Sequence, residues 1–426
     1  MDRHAGGDAR VSLPNIGRPM HLAVVVDQRL HIGGGFQQSL NAALLASRLE
    51  LPDWSVTCFT PHAETVATLA EFGVQAVQLR LSPLHKLSMA ARRTLRSARL
   101  MRWTRRLLGT NPLERAFDAH GIDLIYFVAP SGFARDLERT NFIVTVWDLC
   151  HRDEPEFPEV RDDREFERRE RYYIDILPKA VAVLADSELG ASNIVRRYAI
   201  DPDRVHVMRS SPAPQTFVAE GSQATTRLDV KAEYGLDAEY IFYPAQFWAH
   251  KNHVYIVQAL HLLQSKHGVR LHAIFAGGDV GGTLAHVRTM AQALGVADRV
   301  HFAGFVPGPH MPHLYRQALA LVMPTYFGPT NLPPLEALRA GTPVIYSEEL
   351  ALASGLEAVV FSVDLADPET LAGHLLKLHA AGPANVDRQP TTTARALLDQ
   401  LDDDAERFET FKSILVGFAR KRLCWA

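Results

Sequence analysis

The sequence has few cysteines, little net charge and no long hydrophobic run. Its three cysteines, Cys58, Cys150 and Cys424, lack metal-binding spacing and are too few for a disulfide framework, so we expect a reducing, cytoplasmic compartment. A net charge of −3 provides no field that would recruit nucleic acid. No run of about 18 apolar residues is available to span a bilayer, and the first residues lack the apolar segment of a secretory signal. We expect at most a peripheral contact with the inner face of a membrane.

Common catalytic motifs are missing as well. The sequence contains no G-x-S-x-G, P-loop, H-E-x-x-H or C-x-x-C pattern, so hydrolase, ATPase and metalloprotease functions have no support. The pairs His250/His253 and His310/His313 have helical spacing but no third ligand in the pattern. We therefore expect neither a metal ion nor another cofactor.

Short apolar runs alternate with helical stretches along most of the chain. Runs such as "HLAVVVD" and "FIVTVWD" are apolar on both faces, which is typical of parallel strands covered by helices. The sequence therefore predicts an α/β protein with two doubly wound, Rossmann-like domains. The predicted parts are a first domain at 20–212, a linker at 213–234, a second domain at 235–390, and a helical C-terminal segment at 391–426 that packs back on the first domain.

A glycine-rich stretch, "HIGGGFQQSL", follows the first predicted strand and opens the first helix. Gly34 and Gly35 would allow backbone N–H groups to approach an anion closely at the positive end of that helix. A tight turn that simply needs glycine explains the pattern equally well.

A lysine stands at the start of another predicted helix, in "FYPAQFWAHKNHVYIVQAL". The helix dipole disfavours a cation at that end, so Lys251 is better explained if both face a shared anion. The alternative is a solvated lysine.

The stretch "YFGPTNLPPLEALRAGTPVI" joins a buried strand to a helix. Prolines are tolerated in the first helical turn, and Pro333 and Pro334 remove two donors there. The N–H groups that remain form a cluster suited to a phosphate: Gly328, Thr330, Asn331 and Leu332. Glu336 follows by one turn, within reach of a diol attached to that phosphate. Alternatively, Glu336 only complements the helix dipole, for about 0.3–1 kcal/mol.

A basic run extends from Lys86 to Leu108 without one acidic residue. Helical spacing would place four arginines on one face: Arg92, Arg96, Arg99 and Arg106. Such a face is typical of contact with an anionic membrane or a phosphorylated acceptor. A solvated helix that faces the other domain is the alternative.

The second half resembles the family 4 glycosyltransferases of the GT-B fold. The resemblance rests on "VHFAGFVPGPHMPHLYRQALALVMPT", "NLPPLEALRA" and "GTPVIYS", and more loosely on "TVWDLCHRDEPEFPE" and "ADSELGASNIVRRY" in the first half. It covers roughly Met20 to Ala380. "YPAQFWAHKN" with "FGPTNLPPLEA" is similar to a variant branch found among bacterial surface-polysaccharide transferases. The resemblance implies transfer of a sugar from a nucleotide diphosphate donor with retention of configuration, without a metal.

The resemblance also implies residue roles. Glu336 would bind the donor ribose, and Lys251 would neutralise the donor diphosphate. The turn from Thr330 to Leu332 and the loop with Gly34 and Gly35 would approach that diphosphate. Phe305 and Val306 lie where the family places the nucleotide base.

Three positions depart from the family pattern. Gly328 stands where the family commonly has the first glutamate of a Glu-x7-Glu pair, and Gln246 stands where it commonly has an arginine. Trp147 replaces the histidine of a His-Asp pair, so Asp148 or the nearby His151 would supply the catalytic polar group.

We expect a retaining hexosyltransferase that uses GDP-mannose or another nucleotide-linked hexose. The expected acceptor is a glycan, lipid-linked or part of lipopolysaccharide, O-antigen or another surface polysaccharide. Two alternatives stay open: a non-catalytic GT-B protein in a polysaccharide assembly, and a nucleotide-sugar epimerase or phosphorylase.

Overall fold

The chain folds into two parallel β-sheets, each covered by helices on both faces. The computed structural model describes residues 18–28, 34–49, 51, 53–94, 109–209, 228–279, 281–328, 331–382 and 391–425. The first sheet has the strand order β3-β2-β1-β4-β5-β6-β7, and the second has the order β10-β9-β8-β11-β12-β13. The predicted fold class is confirmed.

The first domain contains seven strands and eight helices within the described residues. The strands are β1 (Met20–Val25), β2 (Trp54–Thr60), β3 (Ala76–Gln78), β4 (Leu124–Phe127), β5 (Asn141–Val146), β6 (Ala182–Ala185) and β7 (Val205–Val207). The helices are α1 (Gly34–Ser47), α2 (Ala63–Glu71), α3 (Pro83–Thr94), α4 (Pro112–Asp118), α5 (Cys150–Asp153), α6 (Pro158–Arg161), α7 (Glu165–Ile176) and α8 (Glu188–Tyr198).

The second domain follows the same plan. Its strands are β8 (Tyr240–Pro244), β9 (His272–Ala276), β10 (Val300–Gly304), β11 (Ala320–Met323), β12 (Val344–Ser347) and β13 (Phe361–Val363). Its helices are α9 (Val230–Tyr234), α10 (His253–His267), α11 (Thr283–Ala293), α12 (Met311–Gln317), α13 (Leu332–Arg339), α14 (Glu348–Ser354) and α15 (Pro368–Ala381). Two more helices follow, α16 (Thr392–Asp402) and α17 (Asp404–Arg422).

Strand β1 shows why apolar runs form the centres of these sheets. Leu22 and Val24 lie in the core on one face of the sheet, whereas Ala23 and Val25 lie in the core on the other face. A strand buried on both faces reads as a continuous apolar run. The sequence did not predict strand β3, because its three residues are only partly buried and do not form such an apolar run.

Each sheet has a switch point at its first strand. Strand β1 pairs with β2 on one side and β4 on the other, and β8 pairs likewise with β9 and β11. At such a point the connections diverge to opposite faces and leave a crevice at the carboxyl ends of the strands, where ligands of doubly wound proteins bind.

The C-terminal segment is shared between the domains. Helix α16 packs into the core of the second domain through Ala394, Leu398 and Leu401. Helix α17 packs on the first domain, as predicted, through residues such as Phe411 and Phe418. The chain therefore crosses between the domains next to Asp403, whose carboxylate accepts a hydrogen bond from the Ala405 N–H at 2.8 Å and caps α17.

The second domain also uses part of the predicted linker. Val230, on helix α9, is fully buried in the second-domain core. Of the predicted linker, 213–227 lies outside the described residues. Among those that are described, no helix is both long and apolar enough to cross a membrane.

Replacing Phe411 by alanine tests whether α17 is part of the first domain. The ring is 1% exposed and lies 5.1 Å from the ring of Tyr126 on β4. We expect the free energy of unfolding, measured by urea denaturation, to fall by about 3–5 kcal/mol because a cavity replaces the ring. Ser413→Ala, on the exposed face of the same helix, should change it by less than about 0.5 kcal/mol. A loss below about 1 kcal/mol for Phe411→Ala would contradict the packing.

Candidate functional site

The carboxyl ends of the two sheets face each other across a cleft with a cavity of about 400 Å³, called the cleft cavity here. Several predicted site residues from both domains line it: Gly35, Asp148, Gln246, Lys251, Gly328, Asn331 and Leu332. On the side of the second domain, the cavity lies at the switch point between β8 and β11, where a ligand is expected.

Lys251 points at the turn that follows β11. It ends a short 3₁₀ turn after β8, and α10 begins two residues later, so it precedes the helix rather than starting it. Its Nζ donates a hydrogen bond to Oδ1 of Asn331 at 3.1 Å. Burial lowers the pKa of Lys251 to about 8, although the charge of Asp148 opposes the shift. Burial thus disfavours the charged amine, and a bound anion would favour it.

Asn331 organises the turn between β11 and α13. Its Nδ2 donates to the Gly328 carbonyl at 2.7 Å and to the Tyr346 hydroxyl at 2.8 Å, while Oδ1 accepts from Lys251. Gly328 has φ +118°, and a Cβ there would lie 2.9 Å from the Asn331 amide. A glutamate therefore does not fit at position 328 without displacing Asn331, which explains one departure from the family pattern. Thr330 lies outside the described residues.

Helix α13 begins beside Lys251. Leu332 and Pro333, in its first turn, line the cleft cavity. The turn lacks an acidic residue, so the positive end of the helix dipole and the Lys251 amine face the same space. Together they form a site that favours an anion.

Asp148 lies on the opposite wall, contributed by the first domain. Its Oδ1 accepts hydrogen bonds from the Cys150 N–H at 3.1 Å, from the Cys150 thiol at 2.7 Å and from Nη1 of Arg169 at 2.9 Å. Burial opposes ionisation, but the charge of Arg169 and the hydrogen bonds from Cys150 outweigh it and lower the pKa of Asp148. Asp148 is therefore a carboxylate at neutral pH, with Arg169 as its partner.

Trp147 packs against the start of α1. A Cβ on Gly35 would lie 2.9 Å from two atoms of the Trp147 ring, so only glycine allows this close contact. Gly34 begins the same helix. The Trp147 ring thus occupies the space next to the glycine loop. On the facing domain, the side-chain oxygen of Gln246 accepts a hydrogen bond from the Trp248 indole at 3.0 Å.

His151 does not reach the cleft, contrary to the prediction that it supplies a catalytic imidazole. Its side chain is fully buried in the first domain and stacks on Tyr173. Its Nε2 lies 3.0 Å from Glu170 and 3.2 Å from the Tyr198 hydroxyl. Residue 151 is on the first turn of α5, which turns the ring inward, and burial lowers its pKa.

Glu336 and the predicted base contacts lie away from the cleft cavity. One carboxylate oxygen of Glu336 accepts a hydrogen bond of 2.5 Å from the Tyr315 hydroxyl inside the second domain. Phe305 is 84% exposed, and Val306 beside it is half-buried. Neither the ribose role of Glu336 nor the base contacts is tested by this geometry.

Arg92 does not belong to an exposed basic face. It is buried, and its guanidinium donates to Glu138 at 2.8 Å and to the Gly109 carbonyl at 2.7 Å. The prediction is wrong for this residue because a buried ion pair turns the arginine inward. Arg96, Arg99 and Arg106 lie outside the described residues.

The sequence did not reveal a polar contact that links the two domains. Glu159, on α6, accepts a hydrogen bond from the His250 N–H at 2.9 Å, and the same oxygen contacts Nδ1 of His250. Phe157 packs beside it, with its ring 5.7 Å from that of Phe327. Glu159 and His250 both line the cleft cavity. No local pattern pairs two residues 91 positions apart.

Two Rossmann-like domains that face each other across such a cleft define the GT-B class of fold. Residues 227–387, which include the second domain, match the family model described as "Glycosyl transferases group 1". The match explains why this half carried the more specific motifs.

Among curated relatives, the D-inositol 3-phosphate glycosyltransferase of Corynebacterium glutamicum is 28% identical over 281 residues, which is 64% of this chain and 61% of the relative. The chain spans less than two thirds of the length of the curated relatives it matches. HepE of Anabaena, solved in complex with UDP and glucose, has a TM-score of 0.66 at 15% identity and covers 93% of this chain and 100% of its own. WaaG, a glycosyltransferase involved in lipopolysaccharide biosynthesis, has a TM-score of 0.59 at 15% identity, with 90% of this chain and 100% of its own covered. The structural likenesses support the GT-B fold.

The contact between Glu159 and His250 predicts a pH dependence of stability. Burial lowers the pKa of His250 to about 4, although the bond to Glu159 opposes this. Between about pH 6.5 and pH 4 the unfolded chain therefore binds a proton that the folded chain does not. We expect the free energy of unfolding to fall by about 1–3 kcal/mol from this residue as the pH is lowered through that window.

Urea denaturation at a series of pH values measures this pH dependence of the free energy of unfolding. We expect the free energy of unfolding of His250→Gln to depend less steeply on pH than that of the wild type. His286→Gln, on an exposed helix face, serves as the matched control and should keep the wild-type slope. An unchanged slope for His250→Gln would show that the imidazole is not held neutral.

Proposed function

We propose that this protein is a glycosyltransferase that binds a nucleotide-sugar donor in the cleft cavity. One observation carries the proposal: Nζ of Lys251 and the N-terminus of α13 converge at the β8/β11 switch point, joined by Asn331. The two negatively charged phosphate groups of a nucleotide-sugar donor would balance the positive charge of this site. The group 1 domain match and the relatives named as glycosyltransferases support the same activity.

The donor would extend along the second domain. Its diphosphate would meet Lys251, Asn331 and Leu332, and its base would lie toward Phe305, whose exposed ring offers a surface for stacking. The ribose contact of Glu336 is part of the proposal, and the Tyr315 hydroxyl donates a hydrogen bond to its carboxylate.

Transfer requires that charge developing on the leaving diphosphate be stabilised. Lys251 and the α13 terminus are in place before the reaction and would perform this role without a metal ion. Across the cleft, Oδ1 of Asp148 is engaged by Cys150 and Arg169. Its other oxygen would orient the acceptor hydroxyl, and attack from the face of the leaving group would retain the configuration.

We propose a glycan acceptor of the kind used in surface-polysaccharide synthesis, including lipopolysaccharide and O-antigen. The likeness in fold to WaaG is compatible with this class.

We also propose a peripheral contact with an anionic membrane. Leu84 and Leu87 on α3 are 76% and 67% exposed, and Lys86 lies between them. Apolar side chains beside basic ones are typical of interfacial helices.

Replacing Lys251 by alanine tests the donor site. We expect kcat/KM for transfer from the preferred nucleotide hexose to fall, because the Lys251 amine no longer stabilises the charge on the leaving diphosphate. The fall should correspond to a loss of about 2–4 kcal/mol of transition-state stabilisation. The assay measures released nucleoside diphosphate with a panel of donors, and the anomeric signals of the product report retention. Lys266→Ala, at the other end of α10 and exposed, should leave kcat/KM unchanged. If Lys251→Ala is as active as Lys266→Ala, the assignment fails.

Replacing Leu84 and Leu87 by aspartate tests the membrane contact. We expect binding to vesicles of phosphatidylcholine and phosphatidylglycerol to weaken by about tenfold or more, because two apolar side chains no longer insert. Co-sedimentation measures the bound fraction, with vesicles of phosphatidylcholine alone for comparison. Leu423→Asp, exposed at the end of α17, is the control. Equal binding by both variants would exclude α3 as the contact.

A further inference from the structure

A second cavity, of about 300 Å³, opens beside the cleft cavity. Its walls come from α1, from the carboxyl ends of β4 to β7, and from two residues at the start of α17. Arg339, in the last turn of α13, closes it from the second domain. Trp147 and Asp186 line both cavities, so the two are adjacent.

Arginine dominates the charge of this second cavity, which we call the arginine cavity. Four guanidinium groups and two carboxylates line it: Arg48, Arg209, Arg339, Arg407, Asp186 and Asp404. The described lining therefore carries two more positive than negative charges. A partly enclosed space with a surplus of one sign concentrates ligands of the opposite sign.

One of the arginines is fixed in the wall. Arg407 donates to Asp404 at 2.5 Å and to the Arg209 carbonyl at 3.2 Å, and its side chain is 11% exposed. Its role in holding the start of α17 accounts for its presence without any ligand.

The two arginines at the rim are not explained in this way. Arg209 approaches Glu188 only at 3.8 Å and keeps 42% of its side chain exposed. Arg48 is exposed and forms no ion pair with the described residues. A pair of guanidinium groups at the mouth of a cavity suits a phosphate or carboxylate, which each fork binds through two hydrogen bonds.

We infer that the arginine cavity binds an anionic group of the acceptor, a phosphomonoester or a carboxylate on its sugar, and directs the reactive hydroxyl past Trp147 and Asp186 toward Asp148 and the donor. This inference rests on the proposed glycosyl transfer. Most of its lining belongs to the first domain, and neither Lys251 nor Asn331 lines it, so a donor held at Lys251 would leave it open. A volume of about 300 Å³ is at the lower end for small-molecule sites and suits a monosaccharide unit.

Calorimetric titration of the full chain tests the inference with four probes: inorganic phosphate, glucose 6-phosphate, glucuronate and uncharged glucose. We expect at least one anionic sugar to bind about tenfold or more tightly than glucose, and the two anionic sugars distinguish a phosphomonoester from a carboxylate. The double variant Arg48→Gln/Arg209→Gln should weaken that binding by about tenfold or more. Arg115→Gln, an exposed arginine that lines neither cavity, should bind as the wild type does.

The variant Lys251→Gln separates this inference from the proposed function. We expect it to bind the anionic sugar like the wild type and to lose affinity for nucleoside diphosphates. If Lys251→Gln loses the anionic sugar, that sugar was bound at the diphosphate site, and the inference is overturned. It is also overturned if glucose binds as tightly as both anionic sugars, or if the double variant binds like the wild type. Failure of every nucleoside diphosphate to bind the wild type would refute the donor site instead.

Discussion

The contact between Lys251 and Asn331 is the interaction on which the candidate site depends. It joins the residues after β8 to the turn after β11, across the switch point of the second sheet. Asn331 also holds Gly328 and Tyr346, so one amide fixes the turn, the amine and the start of α13. The amide offers the amine a dipole but no negative charge. Burial disfavours a charged amine, so an anion would complete the proposed site.

The first domain determines what faces that anion. Helix α17 crosses from the second domain and packs on the first, and Glu159 binds His250 at the edge of the cleft. These contacts place Asp148, with its Arg169 partner, on the wall opposite the amine. The cleft thus has a positive side suited to a diphosphate and an acidic side suited to a hydroxyl. The proposed glycosyl transfer needs both, one to stabilise the leaving diphosphate and one to orient the acceptor.

Much of the fold and part of the site could be predicted because both depend on local patterns. The apolar runs "HLAVVVD" and "FIVTVWD" became strands β1 and β5, and Lys251, Gly328 and Asn331 converge because each follows a strand end of one sheet. The errors arose where distant partners decide. A helical pattern does not show that Arg92 pairs with Glu138, 46 residues away, and turns inward. His151 was misplaced for the same reason, since Glu170 and Tyr173 draw its ring into the core.

Thermal unfolding with UDP, GDP, dTDP, ADP and CMP, each with the wild type and with Asn331→Ala, tests the central claim most directly. A nucleoside diphosphate at about 100 times its Kd stabilises the folded state by about 2.7 kcal/mol, a shift of several degrees in Tm. We predict that one diphosphate shifts the Tm of the wild type in this way, that the matching nucleoside does not, and that Asn331→Ala loses most of the shift. If no diphosphate changes the Tm, or if Asn331→Ala responds like the wild type, then Lys251 and the α13 terminus do not form a diphosphate site.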